Sequence, residues 1–297
     1  MDRRHFMQWS GVAGATAALG LLGCTKRGGS LAQSTAELAR SGGHFPLTSV
    51  GLQLYTVRNL MQQDVDRTLE QVAAAGYHLV ETAGLYGRTP ASFRASLDRY
   101  GIRSASGHYA LDLLDKDAED VFATAHALGQ EYVIVPFLAA AMRVSHDVYS
   151  ALADRFNRLG ERARAAGLRF AYHNHDFEFE TFGTGKPAFD TLLERTDPAL
   201  VSFELDVFWV YKAGHDPLQY FTKHPGRFAL CHVKDGTAPP ARTMVDVGAG
   251  AIDFAGLFAR AERAGLRYAI VEHDQPTDAI ASIRASHAAL VHLLAST

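Results

Sequence analysis

The chain has 297 residues, 47% of them hydrophobic and 21% charged, with a formal net charge of -3. This composition supports a large core and excludes a disordered chain, and the absence of a basic excess removes any broad attraction to phosphate backbones, so no nucleic acid partner is expected. Fourteen His against two Cys direct any metal chemistry toward nitrogen and oxygen ligands.

The N-terminus is a targeting segment. Arg3 and Arg4 precede Phe6 and a run of Ala, Gly, Val, Leu and Thr from Gly11 to Gly23, too short to span a bilayer comfortably. Arg3-Arg4-His5-Phe6-Met7 resembles a twin-arginine export signal, and Leu21-Leu22-Gly23-Cys24 resembles a bacterial lipobox whose Cys is lipidated. Residues 1–24 are therefore expected to be a signal, residues 25–46 a flexible tether rich in Gly, Ser and Ala, and residues 47–297 the folded domain. An uncleaved anchor helix is the competing reading. Both place the domain outside the cytoplasm and on a membrane, facing the periplasm or cell surface, with lipidated Cys24 as the attachment in the first. Cys231 then has no disulfide partner and is expected to be buried in a strand.

From Val50 onward, short β-prone runs alternate with amphipathic segments of helical length. The expected strands begin with 50–55, 77–82, 102–109 and 132–137 and continue with 168–175, 201–208, 228–234 and 268–273. Helices over 64–75, 93–100, 119–128 and 148–166 lie between them. Gly76, Gly101, Gly129, Gly167 and Gly265 stand just before strands, where a left-handed helix cap needs a residue without Cβ. Eight such units predict an α/β fold, a single (β/α)8 barrel. An open doubly wound sheet is the alternative, weakened by the lack of a G-x-G-x-x-G after the first strand.

In a barrel, chemistry belongs where strands end. The last four strands end in Tyr172-His173-Asn174-His175-Asp176-Phe177-Glu178, Glu204-Leu205-Asp206-Val207-Phe208-Trp209, His232-Val233-Lys234-Asp235 and Glu272-His273-Asp274. A period of two puts His173 with His175, Glu204 with Asp206, His232 with Lys234, and Glu272 with Asp274 on common faces. Several carboxylates in one cavity repel one another, and a divalent cation about 2 Å from their oxygens offsets that repulsion. The donor set suits Mn, Co, Zn, Fe or Mg without choosing among them. Gln53, Glu81 and His108, near the ends of strands one to three, are candidate substrate-binding residues. Trp209 is a candidate stacking surface, although strand-end aromatics more often serve packing.

These motifs, together with Asp246-Val-Gly-Ala-Gly-Ala-Ile-Asp253-Phe254, resemble the sugar phosphate isomerase/epimerase group of the xylose isomerase-like superfamily over essentially Leu47 to the C-terminus. The resemblance implies one divalent metal held by Asp206, His232 and Glu272 with a ligand from strand five. There the chain departs from the family: His173 stands about where a Glu is usual, and His173, His175 and Glu178 compete, with Glu178 ranked first because it restores a carboxylate. The implied reaction is proton abstraction next to a carbonyl through a metal-stabilised enediolate, on a free or oxidised sugar or a glycoside, since phosphorylated sugars are scarce outside the cytoplasm. Glu272, His173 and His175 are the implied acid–base residues. Lys234 polarises a substrate oxygen or, equally, only pairs with carboxylates. A 3-keto-glycoside lyase or hydrolase on the same barrel is the alternative enzyme, and a non-catalytic sugar-binding lipoprotein the alternative outside catalysis. A metal-dependent abasic-site nuclease would need more ligands and a basic surface.

Overall fold

The computed structural model describes residues 45–296; the signal, Cys24 and most of the expected tether lie outside the described residues. In chain order the elements are β1 (Val50–Gln53), α1 (Arg58–Gln63), α2 (Val65–Ala74), β2 (Leu79–Thr82), α3 (Pro90–Arg99), β3 (Arg103–His108), α4 (Leu111–Leu128) and β4 (Tyr132–Val135). They continue with α5 (His146–Ala165), β5 (Arg169–His173), α6 (Ala188–Arg195), β6 (Val201–Asp206), α7 (Val207–Lys212), α8 (Pro217–Lys223) and β7 (Leu230–Val233). A short hairpin, β8 (Asp235–Gly236) with β9 (Met244–Val245), precedes α9 (Phe254–Phe258), α10 (Ala261–Ala264), β10 (Tyr268–Val271) and α11 (Ala279–Ser296). Eight parallel strands close in the order β1-β10-β7-β6-β5-β4-β3-β2. All eight expected strands exist, each shorter by two or three residues where the chain enters or leaves the sheet. The five glycines expected to end helices all have positive φ. Cys231 is buried in β7 and unpaired.

Inside the barrel the side chains form layers, because every second residue of a strand points inward. The lower layers are apolar: Leu79, Ala105, Tyr132, Ile134, Ala171, Leu230, Tyr268 and Ile270 form their own buried cluster, closed at the base by Tyr132 edge-on to Tyr268. One step of two residues up, Leu79 gives way to Glu81, Ala171 to His173, Leu230 to His232, and Ile270 to Glu272. The same alternation that fills the core thus delivers a ring of ionisable groups to the C-terminal end. Between sheet and helices lies the main core, in which Phe156 stacks on Tyr172 at 5.0 Å. α5 approaches closely enough that a Cβ on Gly160 would stand 2.5 Å from the Leu200 carbonyl oxygen, so a larger residue there would push the helix off the sheet. Among the described residues β1 pairs with β10 and the core runs from Phe45 to Leu290, so this part closes its own sheet and buries its own core.

One residue does not follow its expected course. Past the end of β5 the chain makes a 3-10 turn, Phe177–Phe179, which carries Glu178 away from the barrel axis and into the layer where Tyr172 and Tyr149 pack. Its carboxylate accepts from the Tyr172 hydroxyl and, at 2.8 Å, from the backbone N–H of His175. The expected metal ligand Glu178 is thus not among the groups that converge inside the barrel. Burial pushes its carboxyl up to about 8, against weaker opposing help from Tyr172. The folded state therefore keeps a proton that the unfolded chain releases near the ordinary carboxyl value. Stability from this group is full below that value and falls as pH rises toward 8. Glu178→Gln should flatten that slope, so urea midpoints at pH 5.5 and 8.0 should differ less than in the parent; an unchanged difference would refute the assignment.

Candidate metal and substrate site

Gln53, Glu81, His108, His173, Asp206, His232, Lys234 and Glu272 all meet at the C-terminal mouth of the barrel, together with Glu204, which the sequence reading left out of its site. Neighbouring strands bring them side by side: Gln53 stands opposite Glu81, His173 opposite Glu204, and Asp206 opposite His232. Every one of their side chains is at least nine-tenths buried.

Glu81 Oε1 lies 2.7 Å from Gln53 Nε2 and 2.8 Å from both His108 Nε2 and His232 Nε2. Glu204 Oε2 lies 2.9 Å from His108 Nε2 and 3.2 Å from both His173 Nδ1 and His232 Nε2. Glu272 Oε2 lies 2.9 Å from His232 Nδ1 and 2.5 Å from Lys234 Nζ. Lys234 also reaches Asp206 Oδ2 at 3.0 Å and Asp274 Oδ1 at 2.7 Å. Burial raises the carboxyl of Glu81, but His108 and His232 outweigh it and hold it below the usual range. Glu204 is brought to about 2 against burial and the repulsion of Glu81, mainly by His232, His108 and His173. Asp206 behaves differently: burial wins over Lys234 and His232 and pushes it up to about 6. Burial works against the charge on Lys234, yet Asp206, Asp274 and Glu272 hold it well above the ordinary lysine value, so it is a fixed ammonium. His173 is held well below the usual histidine value by burial and by His232 beside it.

Two overlapping groups bring their ligand atoms within 4.8 Å of one another: His108, His173, Glu204 and His232, and Asp206, His232 and Glu272. Buried oxygens in and beside these groups are under-used, for Glu204 Oε1 and the neighbouring Glu81 Oε2 receive no hydrogen bond among the described residues, and Asp206 Oδ2 faces the Lys234 ammonium at 3.0 Å. A divalent cation fits such a place: it supplies the missing charge to carboxylates stripped of water, and mixed oxygen and imidazole donors are its usual partners. Asp206 is also fixed by its place at the N-terminus of α7. Its Oδ1 accepts from Trp209 N at 3.0 Å, and its own N–H donates to Asn174 Oδ1 at 3.0 Å.

His175 lies outside both groups, partly exposed at the mouth. Its ring is nearly parallel to Phe177 at 5.3 Å and faces Trp209 at 5.5 Å, with Phe137 edge-on at 5.3 Å. Trp209 sits in α7 rather than at a strand end and contributes to this aromatic wall. Across the mouth, the hairpin after β7 is held by Asp235, which the sequence reading gave no role. Its two carboxylate oxygens accept from the N–H groups of Gly236, Gly248, Gly250 and Ile252 at 2.8 to 3.2 Å. The hairpin reaches both neighbours: Tyr211 OH donates to Thr237 O at 3.1 Å, and Asp274 N to Met244 Sδ at 3.3 Å.

A family model described as the xylose isomerase-like TIM barrel matches residues 69–291, and one for the twin-arginine translocation signal matches residues 1–20. The inosose dehydratase of Lacticaseibacillus casei is 26% identical over 193 residues, covering 57% of this chain and 63% of that protein. The inosose dehydratase of Geobacillus kaustophilus is 26% identical over 233 residues, covering 66% and 75%. A crystal structure of a sugar phosphate isomerase/epimerase from Parabacteroides distasonis superposes with a TM-score of 0.69 at 26% identity, covering 82% of this chain and 97% of that one. The IOLI protein with a bound zinc atom shares the fold, with a TM-score of 0.67 at 16% identity over 84% and 98% of the two chains. With that family model spanning most of a closed eight-stranded barrel, behind a signal for export across the membrane, the chain belongs to the xylose isomerase-like TIM barrel family.

Proposed function

We propose that the protein is a divalent-metal-dependent enzyme that removes a proton from the carbon beside the carbonyl of an oxidised sugar or cyclitol and then expels a β-oxygen substituent. The observation that carries this reading is the convergence of Asp206, His232 and Glu272 within 4.8 Å in a buried pocket, with His173 at 3.6 Å from Asp206. These four residues would hold the ion, His173 replacing the strand-five carboxylate. When bound, the ion would polarise the substrate carbonyl and stabilise the negative charge that forms as the proton leaves. Gln53, Glu81, His108 and Glu204 form the hydrogen-bonded floor that fixes the imidazoles of His173 and His232, an arrangement that sets ligand orientation in metal sites generally. Lys234, locked as a cation, is suited to donating to a substrate oxygen and to the departing one, and unsuited to taking a proton.

His175 is the residue we assign as the base. It stands at the mouth on the same side as the proposed ligands, outside their groups, and its ring is fixed by aromatic neighbours. Trp209 offers a face to an apolar side of the substrate ring. Elimination is preferred because the relatives at 26% identity are dehydratases; a 3-keto-glycoside would follow the same route with an aglycone as the departing group. Isomerisation or epimerisation is the second reading, favoured by the likeness to the sugar phosphate isomerase/epimerase, and would pair Glu272 with His173 across the ring. Export favours a free or oxidised sugar or a glycoside, and we read Cys24 as the lipidated residue that keeps the enzyme at the membrane.

Three measurements check these assignments. Elemental analysis of residues 45–297 after loading with Mn, Co or Zn should find near-stoichiometric metal, lost in Asp206→Ala, His232→Ala and Glu272→Ala but kept in Glu178→Gln. A folded Glu178→Gln variant that binds no metal would return Glu178 to the ligand set. Turnover of keto-sugars and keto-cyclitols in deuterated water should give a product lighter by water or by an aglycone. His175→Asn should slow it about 10²- to 10⁴-fold with metal content intact; a product of unchanged formula carrying deuterium would establish the isomerase instead, and binding without turnover a sugar-binding protein. Labelled palmitate should enter the full-length chain in cells and fail to enter Cys24→Ser.

A further inference from the structure

The two ends of the barrel carry opposite charge. Helices here begin with acids, such as Asp112, Asp147 and Asp190 in first turns, and end with bases, such as Arg162, Arg164, Arg195 and Lys223 in last turns. Each such residue complements its own helix dipole. In a barrel, however, every helix points the same way, so these local preferences add up over whole faces. The end that holds the mouth gathers most of the carboxylates. The opposite end, where strands begin, also receives Arg103, Arg169, Arg227 and Arg267 from the segments leading into β3, β5, β7 and β10. Acids answer some of the cations there, Glu131 pairing with Arg267 at 3.0 Å, Asp98 with Arg94 at 2.7 Å and Glu119 with Arg162 at 3.3 Å, whereas Arg103, Arg164, Arg169 and Arg263 form no ion pair among the described residues.

The chain enters the structure on this basic end. Residues 47–49 lead directly into the first residue of β1, and Arg103, the first residue of β3, donates to Thr48 O at 3.0 Å. Leu47 is among the few exposed large hydrophobic residues, at 40%. Beside it opens a cavity of about 510 Å³ lined by Leu47, Val50, Leu79 and Ile102 and bordered by Arg103 and by Arg94 with its partner Asp98. Cationic side chains around apolar ones are the composition of surfaces that rest at the headgroup level of a bilayer.

We propose that the basic, strand-N-terminal face is a docking surface for anionic phospholipid headgroups, on which the exported protein lies with its site turned away from the membrane. Two independent features, the charge of the face and the entry of the chain through it, agree with the twin-arginine signal that takes the protein across a membrane. Docking through this end leaves the mouth open to solutes. It also keeps the acidic end, which repels anionic lipid, as far from the surface as the barrel length allows.

The test uses residues 45–297, which close their own sheet and bury their own core, so that neither the signal nor a lipid contributes. Co-sedimentation with phosphatidylglycerol vesicles in about 50 mM salt should exceed that with phosphatidylcholine vesicles, and should fade by about 300 mM salt as screening shortens the reach of the charges. Arg164→Glu with Arg263→Glu, both exposed on the basic end, should lower partitioning about a hundredfold. Lys116→Glu with Lys186→Glu, an equal change of net charge on the mouth side, should leave it within about twofold of the parent. Near-ultraviolet circular dichroism confirms that each variant is folded. Equal loss in both pairs, equal binding to the two lipids, or no vesicle binding together with retention on an immobilised acidic protein would each overturn the proposal.

Discussion

Burial of like charges is the constraint around which this molecule is organised. Glu81, Glu204, Asp206 and Glu272 are removed from water within one barrel mouth, a situation whose desolvation and repulsion are costly unless every carboxylate finds compensating charge. Three imidazoles and one ammonium supply part of it. The compensation is shared, with single oxygens of Glu81 and Glu204 each facing more than one donor, while their second oxygens face none among the described residues. A network arranged in this way leaves buried carboxylate oxygens without a donor, and a cation is a species that would supply the charge they lack. The apolar layers below are what make the deficit matter, because they keep water from entering from the base of the barrel.

Under the proposed ligand set, His173 would serve the ion where the resemblance leads one to expect a carboxylate on β5. His173 lies in register with Glu204 on the adjacent strand, so a carboxylate stands beside it across one strand. An imidazole donor in place of a carboxylate lowers the negative charge around a bound ion by one. That leaves the ion more electron-poor, which favours polarising a substrate carbonyl over simply holding the ion tightly.

Much of the fold was legible in the sequence because it is periodic. Alternating strand and helix patterns, and glycines at helix ends, follow from backbone geometry that acts over a few residues, and the closed barrel is the arrangement that such a repeat permits. The inward-facing residues of β6, β7 and β10 were legible for the same reason. Glu204 was legible as a face-mate of Asp206, yet it was not placed in the site, since spacing alone cannot say how far down a barrel a cavity extends. Glu178 failed on a different count: its direction is set by a 3-10 turn after β5 and by Tyr172, and a pattern of two says nothing once the strand has ended. Asp235 was not legible at all, because its partners are backbone N–H groups up to seventeen residues away.

Asp235 has a consequence for how such a protein changes over generations. By gathering four N–H groups from both ends of the β7–α9 connection, it closes the base of that loop independently of what the tip contains. Residues 237–243 then hang from a fixed frame above the mouth, with Lys234 secured separately by its three carboxylates. Lengthening or rewriting that tip would alter what the entrance admits while the buried carboxylates and imidazoles below stay where they are. A single buried carboxylate thereby lets the entrance vary without disturbing the groups beneath it.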